Sequence, residues 1–137
     1  MGYVLSLDEG TTSTRAVIFT EDGRTVAQSS QEFTQRFPRG GWVEHDPPEI
    51  WRTSRQVIGS ALGKAQLTGA DIACVGVTNQ RETTVVWEAS TGRPIYPAIV
   101  WQDTRGTEYV ERLSEDTHDI ATITGLPVNT YLSLIHI

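Results

Sequence analysis

Apolar residues fall in short runs before residue 46 and in a helical rhythm just after it. Residues 3–7 form a first apolar run that ends at Asp8, and a polar, glycine-containing loop separates it from a second run at residues 16–19. Asp22-Gly23 is a turn signal, and residues 25–33 read as a third strand with mixed polar faces, so an antiparallel meander is predicted. The composition of residues 38–42 predicts a loop. A helix is expected to start near Asp46: Asp46 and Glu49 have the spacing of a capping box, and Pro47 sits where a missing N–H is tolerated. Its buried face would carry Ile50, Trp51, Val57, Ile58, Ala61, Leu62 and Ala65. Residues 72–77 are almost continuously apolar, the pattern of a strand covered on both faces. Residues 83–87 and 95–101 flank a Ser90-Thr91-Gly92 turn and predict a hairpin. Helices are expected over residues 104–113 and 119–123, the second stopped by Gly125 and Pro127. Strands, helix, strands, helix is the order of an α/β layer with helices on a mixed sheet. A Rossmann unit does not fit, because the first turn leads to a second strand instead of a helix.

Charge and composition remove several classes of function. Eleven basic residues against 17 acidic ones give a net charge of −6, which argues against binding nucleic acid or an anionic membrane through bulk charge. No apolar run approaches the roughly 20 residues of a membrane span. Cys74 is the one cysteine, so no internal disulfide forms, and it reads as a small buried apolar residue. The first residues lack the basic and apolar regions of a signal peptide, and the expected compartment is the cytoplasm. Gly2 and Ser6 match an acylation pattern, but residues 3–7 read better as a strand.

Chemistry concentrates in two places. Directly after the first strand, Asp8-Glu9-Gly10-Thr11-Thr12-Ser13-Thr14-Arg15 gathers a glycine, four hydroxyls, two carboxylates and a guanidinium. Gly10 lets the backbone approach an anion, and the N–H groups and hydroxyls of Thr11, Thr12 and Ser13 can donate to phosphate oxygens. Arg15 offers a fixed fork of donors, and Asp8 suits Mg²⁺, which prefers oxygen ligands. The same residues also describe a plain Ser/Thr-rich turn with a solvated charge pair, and the spacing is not that of a Walker A loop. The second place is the polar loop Asn79-Gln80-Arg81-Glu82-Thr83. Arg81 and Glu82 put a donor fork beside an ionised acceptor, a combination that matches adjacent hydroxyls of a polyol. Trp101 would supply an apolar wall and Tyr131 a further hydroxyl; taken alone, Arg81 and Glu82 also read as a surface ion pair and Trp101 as a core aromatic.

DEGTTSTR at residues 8–15, GWVEHDPPEIW at 41–51, GVTNQRETTVVWE at 76–88 and GRPIYPAIVWQDTR at 92–105 together resemble the FGGY family of carbohydrate kinases. Within it they are most similar to the glycerol kinases, over residues 3–131. That resemblance implies an actin-like ATPase (ribonuclease H-like) domain with a mixed sheet, N-terminal antiparallel strands and flanking helices, here incomplete. It implies transfer of the ATP γ-phosphoryl group to glycerol with Mg²⁺, giving sn-glycerol 3-phosphate. By the matching motifs, Thr11, Thr12, Ser13 and Arg15 would bind nucleotide, Asp8 metal, and Arg81, Glu82, Trp101 and Tyr131 glycerol. Family members carry the catalytic Asp, the adenine pocket and the FGGY signature in later regions, so no catalytic residue is assigned in this chain and Asp8 and Asp103 are not taken as the base. Residues 1–131 are expected to be the front part of the family's N-terminal domain, inactive in isolation, from a cytoplasmic enzyme in which a homo-oligomer is conceivable. Residues 132–137, Leu-Ser-Leu-Ile-His-Ile, match one reading frame of a transposase adapter and are expected to be a non-native tail. Many relatives have Gln where this chain has Glu9; a carboxylate there is unfavourable near a triphosphate unless Mg²⁺ or Arg15 offsets it or it points away. Trp42, His45 and Trp51 are read as packing residues. The competing readings are another FGGY-type kinase acting on a pentulose or hexulose, and a non-catalytic actin-like nucleotide-binding module. A glycosidase using Asp8 and Glu9 fails, since neighbours on one loop rarely face a single cleft.

Overall fold

The computed structural model describes residues 2–113, 117–125 and 128–130. Pro127, Tyr131 and residues 132–137 lie outside them. In chain order the elements are β1 (Tyr3–Glu9), β2 (Ser13–Phe19), β3 (Thr25–Glu32), β4 (Glu44–His45), α1 (Pro47–Ala65), a 3-10 turn (Gly69–Asp71), β5 (Ile72–Asn79), β6 (Ala98–Ile99), α2 (Thr107–Arg112) and α3 (Thr117–Thr124). They fall into two compact units, Met1–Thr34 with Asp46–Gln80, and Gln35–His45 with Arg81–Ile137.

The first unit is a four-stranded sheet in the order β3-β2-β1-β5, antiparallel except for the parallel β1–β5 pair. Asp22-Gly23 turns the chain as expected, with Gly23 at φ +81°. Strand alternation sends Leu5 and Leu7 of β1 and Ala16 and Ile18 of β2 to one face, where they pack with Val57, Ile58, Ala61 and Leu62 of α1. The residues of α1 nearest the sheet are small, Ser54, Val57 and Ala61, all buried. Trp51 falls on the flank of this stripe and is 66% exposed, so it is not part of the expected buried face. Nor does the capping box form: Asp46 is the N-cap without a side-chain cap bond. Glu49 instead accepts the Thr34 backbone N–H at 3.1 Å and its hydroxyl at 2.9 Å. The helix closes on Gln66 at φ +55°, whose N–H bonds to the Gly63 carbonyl.

Strand β5 departs most from expectation. Its position is as predicted, but Val75 and Val77 are 57% and 65% exposed, and Cys74 is exposed as well. The reason is the reach of α1, which packs over β2 and β3. The apolar run of β5, at the end of the sheet order, is left outside that cover.

The second unit is less regular. β4 pairs antiparallel with β6, Glu44 opposite Ile99 and His45 opposite Ala98. The predicted hairpin survives as isolated bridges, Thr84 to Ile99 and Trp87 to Pro94. Pro94 and Pro97 remove ladder donors from its second arm, which shortens the strand to two residues. Gly41, at φ +77°, accepts the Thr104 N–H (2.8 Å) and hydroxyl (3.0 Å); a Cβ there would come within 2.1 Å of that hydroxyl oxygen. The two late helices form near their predicted places, and Gly125 follows α3 at φ +72°. No helix among the described residues is long and apolar enough to cross a membrane.

Candidate functional site

The first candidate loop lies in the first unit. β1 and β2 pair up to Glu9 and Thr14, so Gly10, Thr11 and Thr12 form the crest of a hairpin. The Gly10 N–H donates to the Ser13 carbonyl at 3.0 Å, and a Cβ on Gly10 would stand 3.0 Å from that same oxygen, closer than side chains ordinarily come. Thr12 is exposed and Ser13 half-buried. Asp8 and Arg15 face each other across the ladder and form an ion pair of 2.9 Å, both partly exposed. Between them the strand pleat separates roles. Asp8 stands on one face, whereas Glu9 turns to the α1 face, where its carboxylate accepts the hydroxyls of Thr14 (2.7 Å) and Ser54 (2.5 Å). Thr14 is fully buried. The extra carboxylate therefore points away from the crest, and three hydroxyl residues, Thr11, Thr12 and Ser13, stay on the loop.

No group of three or more His, Cys, Asp or Glu residues that could hold a metal occurs among the described residues. Asp8 stands on the face opposite Glu9, and Arg15 is its hydrogen-bond partner. A single carboxylate beside hydroxyl and N–H donors fits Mg²⁺, which keeps waters and phosphate oxygens as most of its ligands, and does not fit an ion that demands a cage of side chains.

The second loop lies in the second unit. Glu82 adopts φ +68°, a left-handed conformation uncommon for a residue with a side chain. Its Oε2 is buried without a hydrogen-bond partner, and Arg81 beside it is exposed and makes no ion pair among the described residues. A surface ion pair between them is thus not what forms. Backbone strain and an orphaned buried acceptor at the same residue are both costly. Trp101, 38% exposed, is brought to this loop: its N–H donates to the Thr83 hydroxyl at 3.3 Å, next to Glu82. At the end of this loop, Thr84 and Ile99 exchange both backbone hydrogen bonds, at 2.9 and 3.0 Å. Arg81, Glu82 and Trp101 are therefore gathered, while Tyr131 lies outside the described residues.

Sequence reasoning missed the charge cluster behind Trp101. Asp103 is 1% exposed and accepts the Val43 N–H (2.7 Å), the Arg105 N–H (2.8 Å) and two guanidinium donors of Arg105 (2.8 and 2.7 Å). Burial would raise the Asp103 carboxyl, but the Arg105 side chain and the two backbone N–H groups outweigh it and hold the group below the usual carboxylate value. The same hydrogen bonds hold Arg105 more firmly protonated than usual. A carboxylate so held is a poor proton acceptor.

The sequence matches the N-terminal domain of the FGGY family of carbohydrate kinases over residues 3–137. The chain belongs to that family. A protein named glycerol kinase from Saccharopolyspora erythraea is 56% identical over 133 residues, which are 96% of this chain and 27% of that protein. Another from Clavibacter michiganensis is 53% identical over 96% of this chain and 26% of its own length. This FGGY chain thus spans about a quarter of the curated relatives it matches. Among solved structures, the Plasmodium falciparum glycerol kinase crystallised with ADP is 38% identical, with a TM-score of 0.87, over 96% of this chain and 27% of that one. A xylulose kinase from Rhodospirillum rubrum is 28% identical with a TM-score of 0.84, over 94% and 27%. The α/β layers are accordingly part of the actin-like ATPase fold shared by FGGY kinases.

Proposed function

We propose that this chain is the front portion of a glycerol kinase, which transfers the γ-phosphoryl group of ATP to glycerol. The observation that carries the reading is the Glu82 carboxylate, buried on one oxygen without a partner among the described residues, beside an exposed Arg81 that makes no ion pair among them. A polyol hydroxyl both donates and accepts, so one hydroxyl can donate to Glu82 while a neighbour accepts from Arg81. Trp101 limits the space along the carbon chain. A small polyol leaves neither charge unpaired, and this favours glycerol over a larger ketose. The identity to proteins named glycerol kinase points the same way.

The crest of the first hairpin is the ATP phosphate loop in this reading. Thr11, Thr12 and Ser13 donate to phosphate oxygens and Arg15 offsets their charge. Asp8 would hold Mg²⁺, which when bound neutralises charge on the phosphates. Positioning and charge stabilisation dominate such transfers, and the base that accepts the glycerol proton is assigned outside these 137 residues. The 137-residue chain alone is expected to turn nothing over.

The test is an enzyme in which residues 3–131 of this chain replace the matching segment of the Saccharopolyspora relative. Glycerol-dependent ADP release is expected, with Glu82→Ala or Arg81→Ala lowering kcat/KM for glycerol about 10- to 100-fold. Turnover of xylulose in preference to glycerol would favour a ketose kinase of the same family. ATP binding with no turnover of any polyol would favour a non-catalytic nucleotide-binding module.

A further inference from the structure

Two carboxylates, Glu44 and Asp103, are nearly closed off from solvent in the second unit, 6% and 1% exposed, and neither belongs to the loops assigned above. Enclosing a charge is costly unless donors replace its water. Asp103 has four such donors, and Arg105 extends the cluster by giving a hydrogen bond to Glu44 at 2.8 Å. Glu44 also accepts the Tyr96 hydroxyl at 3.2 Å, and the Arg105 guanidinium stacks 3.9 Å from the centre of the Trp42 ring. Three separate stretches of chain, 42–44, 96–100 and 103–105, are tied at one point.

Those stretches lead directly to the polyol loop. The Val43 carbonyl accepts the Val100 N–H (3.0 Å), and the Asp103 N–H donates to the Val100 carbonyl (2.8 Å), so the cluster brackets Trp101 from both sides. Glu44 pairs with Ile99, Ile99 pairs with Thr84, and the Trp101 N–H reaches the Thr83 hydroxyl. An apolar contact at the same place would allow these segments to slide; a planar fork between two fixed carboxylates fixes direction as well as distance.

We propose that Glu44, Asp103 and Arg105 form a positioning cluster that sets the distance between the Trp101 wall and the Glu82 acceptor, and thereby the affinity for a small polyol. The proposal rests on the polyol reading of Arg81, Glu82 and Trp101. None of the three cluster residues touches substrate in it; they act through β4, β6 and the 83–84 segment.

The test uses the same replacement enzyme with Arg105→Lys, which keeps the charge and loses the fork, and with the milder Tyr96→Phe and Glu44→Gln. Arg105→Lys is expected to raise KM for glycerol about tenfold while KM for ATP stays within about twofold. Tyr96→Phe should raise KM for glycerol several-fold with an unchanged thermal midpoint. Glu44→Gln, which retains an acceptor, should stay closer to the parent than Glu44→Ala. Should Arg105→Lys not fold, Tyr96→Phe and the Gln/Ala pair decide the matter. An active parent whose folded variants lose kcat alone, or lose affinity for ATP and glycerol equally, overturns the cluster's role and leaves the polyol reading standing. A parent without glycerol-dependent turnover overturns both.

Discussion

The two units hold their shape by opposite means. In the first, strand alternation and a helix with small residues at its contact, Val57 and Ala61, enclose an apolar layer around Leu5, Ala16 and Ile18. In the second, a short apolar strip of Val43, Ala98 and Val100 shares its interior with Glu44, His45 and Asp103. The kind of loop each unit carries explains the contrast. The proposed phosphate loop is a hairpin crest, local in sequence, and the β1–β2 ladder alone defines it. The proposed polyol residues come from segments about 20 positions apart, and a non-local site needs a directional tie where an apolar contact would leave freedom.

The largest effect should come from cutting that tie. Arg105→Ala leaves two enclosed carboxylates without their cation and is expected to cost about 3–5 kcal/mol in urea unfolding; a loss below about 1 kcal/mol would erase the contrast. Ile18→Ala in the apolar layer should cost about 2–4 kcal/mol, by a lost transfer energy and a cavity, and its cost should be the same at pH 3.5 and pH 7. Acid sharpens the comparison further. Asp103 is held below its usual value when folded, so its stabilisation is complete above roughly pH 4 and fades as pH falls through the lowered folded value. Asp103→Asn should remove that part of the acid dependence, measured as unfolding midpoints between pH 3 and pH 6. In the first unit Asp22, bonded by Arg24, and Asp71, bonded by the Thr68 N–H, are also held low, but they are exposed and contribute a shallower slope. The smallest effect is at Glu9. Because its carboxylate faces Thr14 and Ser54, Glu9→Gln should change the affinity of the replacement enzyme for MgATP by no more than about twofold in calorimetry; a tenfold gain would place that carboxylate against the phosphates.

Much of the first unit was legible because its elements follow single periodicities: 2 in the meander and 3.6 in α1. What escaped depends on partners distant in sequence. Residues 72–77 announce a strand, but which neighbours cover it is decided by the reach of α1 over β2 and β3, and that left Val75, Val77 and Cys74 outside. Asp46 and Glu49 have capping-box spacing, yet Thr34, 15 residues upstream, takes the Glu49 carboxylate. At the sites, the motif at 79–83 pointed to Arg81 and Glu82, and the structure adds that neither makes an ion pair among the described residues. The Glu44–Arg105–Asp103 cluster left a fainter signal, charges set beside or close to apolar residues in Val43-Glu44 and Val100-Trp101-Gln102-Asp103. Periodicity assigns such residues to solvent, and only the fold shows that they meet.

Strand β5 carries a consequence for how the chain behaves in company. It has eight residues with no charge and no proline, and among the described residues only β1 pairs with it. Natural sheets guard such edges with lysine, proline or a bulge, because an open ladder of N–H and C=O groups accepts any extended strand. Here the register irregularity at Ala73, between the Tyr3–Ile72 and Val4–Cys74 pairs, interrupts only the start of the strand, and Val75 and Val77 add an apolar surface to the rest. Solubility of the isolated chain is therefore governed by concentration as much as by its charge of −6, since mutual repulsion must keep apart molecules that each present a template for the next.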